Sequence, residues 1–148
     1  EAIRQTGSDP AQLEIEITES VAVGGIDPII KLLEEIRARG VSVALDDFGT
    51  GYSSLSYLRS FPFDKIKIDR SFIADIEHNR DNAAIVRAMA GLGASLGMET
   101  TAEGVETSEQ LAIVRACGCS DIQGFLVSPP QPVEAVPDLI ARLARRAA

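Results

Sequence analysis

The chain has 148 residues, is 45% hydrophobic and 24% charged, and carries a net charge of −8. This describes one globular domain with enough chain to bury a core. It excludes a grip on long nucleic acid, which wants a basic surface, and a bilayer span, for which no apolar run is long enough. The opening residues do not read as a signal peptide. Cys117 and Cys119 are parted by one glycine. With a single histidine, His78, they do not make a closed zinc site. Reduced thiols in a cytosolic protein are expected.

Taken in order, Glu1 to Thr6 read as the tail of a helix stopped by Gly7, as though something preceded it. Ser8 to Pro10 make a turn. Leu13 to Thr18 alternate, with Leu13, Ile15 and Ile17 on one face and Glu14, Glu16 and Thr18 on the other. Ile26 to Arg39 carry apolar residues at helical spacing, ended by Gly40. Val41 to Asp46 read as a buried parallel strand. Ser53 to Ser60 make a short helix. Asp64 to Asp69 alternate again, with Lys65, Lys67 and Asp69 opposite Ile66 and Ile68. Arg80 to Leu96 form a long helix and Met98 to Ala102 a strand. Ser108 to Ala116 form a helix capped by Thr107. Asp121 to Val127 hold a last short strand, and Val133 to Arg146 a closing helix.

Strand and helix thus alternate, which forces parallel strands joined by crossover helices. No glycine-rich dinucleotide fingerprint follows the first strand. Polar residues gather instead where the strands end: Glu16 and Glu19, Asp46 and Asp47, Lys67 and Asp69, Glu103 and Glu106, Gln123. Ligand sites of α/β barrels and open sheets lie at that edge. A closed barrel wants eight strands and roughly 250 residues, so about three strands are inferred upstream of Glu1.

Each residue has a plain alternative. Asp46 and Asp47 repel each other unless a cation sits between them, and a divalent metal with oxygen ligands answers that; a solvated acidic turn also would. Glu16 lies on a strand with no wet face, so its charge needs a partner. Glu19 reads equally as an N-terminal helix charge. Lys67 alone is a solvated strand-end lysine, and Glu103-Gly104-Val105-Glu106 alone is a turn.

Together the segments are specific. EIEITES (14–20), LDDFGTGYSSL (45–55), DKIKIDRSFI (64–73), AEGVET (102–107) and QGFLVSPP (123–130) resemble, in order and spacing, the motifs of the EAL-domain family of cyclic di-GMP phosphodiesterases. The resemblance implies a parallel (β/α)8 barrel of the TIM type, with its last five β/α units in this chain. The whole of 1–148 then corresponds to the C-terminal portion of one EAL domain. It also implies two Mg2+ or Mn2+ ions, held by Glu16, Asp46, Asp47 and Glu103. Lys67 and Glu103 would be catalytic. Glu19 would anchor the loop Phe48 to Ser54, with Glu106 and Gln123 in support, and Asp69 and Gln123 would touch substrate. The expected reaction is hydrolysis of cyclic di-GMP to linear pGpG, in a cytoplasmic bacterial setting.

Two departures stand out. The Glu-Ala-Leu motif and the following asparagine strand are not in this chain; Glu1-Ala2-Ile3 adjoins the wrong elements. Phe125 stands where the family has tyrosine, and Pro129 where it has arginine. The segment alone is therefore expected to be inactive and to self-associate, as a homodimer or otherwise, through open sheet edges. Sensory or GGDEF-type domains are expected upstream. The rival reading is a degenerate EAL domain that binds the dinucleotide or a protein without turnover.

Overall fold

The computed structural model describes residues 2–18, 26–51 and 55–147. Its elements are α1 (Ala2–Thr6), β1 (Glu14–Thr18), α2 (Ile26–Arg37), β2 (Ser42–Phe48), α3 (Leu55–Ser60), β3 (Lys65–Ile68), α4 (Arg80–Leu96), β4 (Glu99–Glu103), α5 (Ser108–Cys117), β5 (Asp121–Gln123) and α6 (Val136–Ala147). Single 3-10 turns lie at Pro10–Gln12, Arg70–Phe72 and Val133–Ala135. All strand pairs are parallel, in the spatial order β1-β2-β3-β4-β5. Strands that follow one another in space as in sequence belong to a barrel-type sheet, since a doubly wound sheet reverses its order at the middle.

Laterally paired residues share a face of the sheet. The register Glu16↔Ala44, Ala44↔Lys65, Lys67↔Thr101 and Glu103↔Gln123 therefore puts the charged positions of all the strands on one side. On the other side lie Val43, Leu45, Ile66, Ile68 and Ala102, all buried. Helices cover that side. Leu33 of α2 and Leu58 of α3 pack on Val43, Leu45 and Ile66. Val86 of α4 and Val114 of α5 pack on Ile68 and Ala102. The apolar faces of β1 and β2 thus point outward under the helices. Leucine and isoleucine layers usually fill such barrels; this inner face is polar.

At the N-terminal ends of the strands, Lys65 meets Glu14 at 3.1 Å, Glu99 at 3.5 Å and Asp121 at 3.8 Å. Burial would lower the Lys65 pKa, but the Glu14 hydrogen bond and the three negative charges hold it above the ordinary lysine value. Nearby, Arg37 grips both oxygens of Asp64, at 3.0 and 3.1 Å from Nε. Asp64 Oδ2 also accepts the Val43 amide at 3.0 Å. These ties link α2, β2 and β3 away from the opposite, C-terminal edge.

Strand β2 runs two residues beyond the expected Val41 to Asp46, through Asp47 to Phe48. Its register against β3 slips on the way: Leu45 faces Ile66, but Phe48 faces Ile68. Two residues of β2, Asp46 and Asp47, thus oppose the single residue Lys67, which is a β-bulge. Asp47 adopts φ +55°, the one non-glycine positive φ among the described residues. Aspartate tolerates this left-handed geometry at a cost of about 1–2 kcal/mol. Asp47→Gly should therefore leave stability unchanged or raise it by about 1 kcal/mol, since relieved strain offsets the added chain entropy. Thermal melting checks this; a marked drop in Tm would mean that the aspartate side chain stabilises the bulge.

The remaining joints follow their local chemistry. Thr107 and Gln110 form a reciprocal capping box on α5. Cys117 and Cys119 are free. Burial, with Cys117 adding to it, pushes the Cys119 thiol up to about 11. Among the described residues, no helix is long and apolar enough to cross a membrane.

Candidate active site

At the C-terminal edge of the sheet the chain brings three carboxylates around one ammonium. Lys67 is 4% exposed. Its Nζ lies 2.6 Å from Glu16 Oε1, 2.7 Å from Glu103 Oε1 and 3.2 Å from Asp46 Oδ1. Burial opposes the Lys67 charge, but the carboxylates of Glu103, Glu16 and Asp46 outweigh it and raise its pKa above the ordinary value. The lysine is a fixed cation, not a proton donor near neutrality.

The bulge explains how adjacent aspartates serve one site. In a regular strand Asp46 and Asp47 would point to opposite faces. With the extra residue, carboxylate oxygens of Asp46, Asp47 and Glu103 come within 4.8 Å of one another. One ammonium does not neutralise this group. Asp46 Oδ1 is buried and has no partner in a well-formed hydrogen bond; its charge partner is the Lys67 ammonium, 3.2 Å away. A buried carboxylate oxygen without a hydrogen-bond donor is costly, and the Lys67 charge beside it is shared with Glu16 and Glu103, which leaves negative charge for a further cation to balance. Hard, close-set oxygens suit a divalent ion such as Mg2+ or Mn2+. The donor set fits a divalent ion.

Glu16, expected to be buried, is half-exposed, because the polar face of β1 is open; its partner is nonetheless Lys67. Gln123 sits on β5 directly beside Glu103. Asp69 caps the Arg70–Phe72 turn by accepting the Ser71 amide at 3.0 Å. Burial would raise its pKa, but bonds from the Ser71 hydroxyl and from the Ser71 and Arg70 amides hold it below the usual carboxylate value. With Arg70, Gly104, Glu106 and Gln110, Asp69 lines a cleft of about 510 Å3. Glu106 is exposed on the loop after β4. Glu19 and the segment 52–54 lie outside the described residues.

Two contributors escape the sequence reading. Gln110 Oε1 accepts the amides of Glu106 at 2.7 Å and Thr107 at 3.2 Å, and so pins the loop that follows Glu103; the Thr-x-x-Gln spacing of a capping box signals it. Arg70 lies against Gly104, where an added Cβ would come 2.6 Å from the Arg70 Cβ and where φ is +69°. Only glycine lets the loop pass there.

Fold and site together define a parallel β/α-barrel protein with a carboxylate-rich centre at its strand ends. The EAL domain family profile matches residues 1–130, and the chain belongs to that family. NbdA of Pseudomonas aeruginosa, named a cyclic di-GMP phosphodiesterase, is 45% identical over 94% of this chain. The structure titled PaMucR phosphodiesterase in complex with c-di-GMP is 44% identical over 91% of this chain and 55% of its own, with a TM-score of 0.85. A Klebsiella pneumoniae BlrP1 structure, titled a manganese and cyclic di-GMP complex, is 39% identical over 87% of this chain and 33% of its own, with a TM-score of 0.80. The chain spans 18% of the length of NbdA and similarly small shares of other curated relatives. The five parallel strands and their helices correspond to the last β/α units of the TIM-type barrel of this family.

Proposed function

We propose that residues 1–148 form the C-terminal portion of a single EAL domain that hydrolyses cyclic di-GMP to linear pGpG with two divalent ions, Mg2+ or Mn2+. The observation that carries this is the undonated Asp46 Oδ1 beside Asp47 and Glu103. Bound ions would acidify a water and neutralise charge on the phosphodiester. Asp46 and Asp47, with Glu16 and Glu103, would hold them. Lys67 keeps these carboxylates together and presents a permanent positive charge to an anionic substrate. Glu103, at the end of β4 and part of the same carboxylate group, would take the proton of the attacking water. Gln123 and Asp69 would orient the substrate at the rim, and Glu106 would support the loop between them. Glu19 would anchor the loop beyond Asp47.

Further β/α units of the same domain would continue the sheet past β1, where Leu13 and Ile15 are each 39% exposed; without them a second copy would pair there. We also propose attachment to sensory or GGDEF-type domains in the bacterial cytoplasm, as the small share of the relatives' length supports. The test is metal removal. The full-length protein should convert cyclic di-GMP to pGpG with Mn2+, and EDTA should abolish product while Mn2+ restores it, followed by chromatography. Tight dinucleotide binding with no product at any metal concentration would establish the rival reading, a binding module without turnover.

A further inference from the structure

We infer that Met89, in the middle of α4, is a positioning residue for the Asp46–Asp47 pair and acts through Gly49; this rests on the metal-site reading above. Gly49 lies two residues beyond Asp47 and adopts φ +100°. A Cβ placed on it would come 2.4 Å from Met89 Cε and 2.9 Å from Phe72 Cε2. The Met89 methyl and the Phe72 ring edge therefore occupy the space directly against the Gly49 backbone. From inside the turn, the Thr50 amide and hydroxyl both donate to the Asp47 carbonyl, at 3.3 and 3.0 Å. Phe48, 7% exposed, locks into register beside Ile68. The left-handed Asp47 is thus fixed by hydrogen bonds on one side and by apolar packing on the other.

Met89 is suited to that packing. An unbranched thioether fills irregular space between surfaces. Met89 packs against both buried clusters, the one under α2 and α3 and the one under α4 and α5. It therefore ties the position of the outer helix to the geometry of a ligand it does not touch. A truncated side chain would free Gly49 to settle towards α4 and relax the bulge, moving the Asp47 oxygens relative to Asp46 and Glu103.

The experiment is Mn2+ titration calorimetry on the full-length protein, paired with thermal melts. Met89→Ala should weaken Mn2+ binding about tenfold, the scale found for groups that orient metal ligands from behind. Met89→Leu, of similar volume, should stay within about twofold of wild type. Val86→Ala cuts a fully buried side chain of the same helix that is not among the atoms nearest Gly49; it should lower Tm and leave Mn2+ affinity alone. Should Met89→Ala fail to fold, Met89→Val carries the same test with a smaller loss. Wild-type affinity in the folded alanine or valine variant overturns the inference, as does an equal loss in Val86→Ala. Asp46→Asn separates this from the parent reading. If it leaves Mn2+ affinity unchanged, the metal site itself is wrong; if it abolishes binding while Met89→Ala does nothing, only the role of Met89 falls.

Discussion

Lys67→Met should destabilise the metal-free protein by about 3 kcal/mol, and Mn2+ should recover much of the loss. Breaking a buried ion pair by removing one partner costs about 3–5 kcal/mol, because the other charge stays behind. Here three carboxylates stay behind, at 2.6, 2.7 and 3.2 Å from the vacated ammonium. The lower end of the range applies, because the Glu16 side chain is 45% exposed and water screens it. Methionine matches the aliphatic stem, so the effect is one of charge and not of volume. Divalent ions bound by the same oxygens would restore the charge balance and stabilise by mass action. Melting curves in EDTA and in Mn2+ check both halves. A Lys67→Met protein that melts like wild type in EDTA would show that the carboxylates do not depend on the lysine.

Glu103→Gln should reduce cyclic di-GMP hydrolysis by about a thousandfold while changing stability by under about 1 kcal/mol. Glutamine keeps the length and shape of the side chain, and its oxygen still accepts from Lys67. It neither takes a proton from water nor binds a divalent ion as a carboxylate does. Removing one negative charge from the Asp46–Asp47–Glu103 group also relieves repulsion, which offsets part of the weakened Lys67 contact. Steady-state turnover and thermal melting measure the two effects. Near-normal turnover in this variant would remove Glu103 from the mechanism.

Much of this was readable in the chain. The Arg80–Leu96 helix has the expected boundaries, because its cap, its apolar period and its terminal glycine agree. Thr107 caps α5 as its position implies. The residues that meet at Lys67 were all marked by their place at strand ends, which is how distant segments converge in a parallel sheet. What was not legible depended on phase and on the direction of faces. The apolar positions of β2 fall at 43, 45 and then 48, a slip of one that betrays the bulge only when the partner strand is known. The polar faces of β1 and β3 were read correctly as faces, but nothing local says which face looks inward. Amphipathic helices claim the apolar strand residues from outside, a choice settled only by packing between distant segments. The sequence alone does not say why Gly49 and Gly104 must be glycine; their neighbours Met89 and Arg70, distant in sequence, give the reason.

The bulge also bears on how such a protein can lose its activity by descent. Most single-residue deletions in a buried strand throw every later side chain onto the wrong face. Here the strand already carries one residue too many, so excising Asp47 would bring Leu45, Asp46 and Phe48 opposite Ile66, Lys67 and Ile68 in unbroken step. The left-handed residue would go with it, and the helix-covered side would be untouched. One in-frame codon loss would thus leave a well-formed sheet with a crippled ion site. On the proposed function, the step from enzyme to binding module is then a single codon, at the position that shapes the candidate ion site.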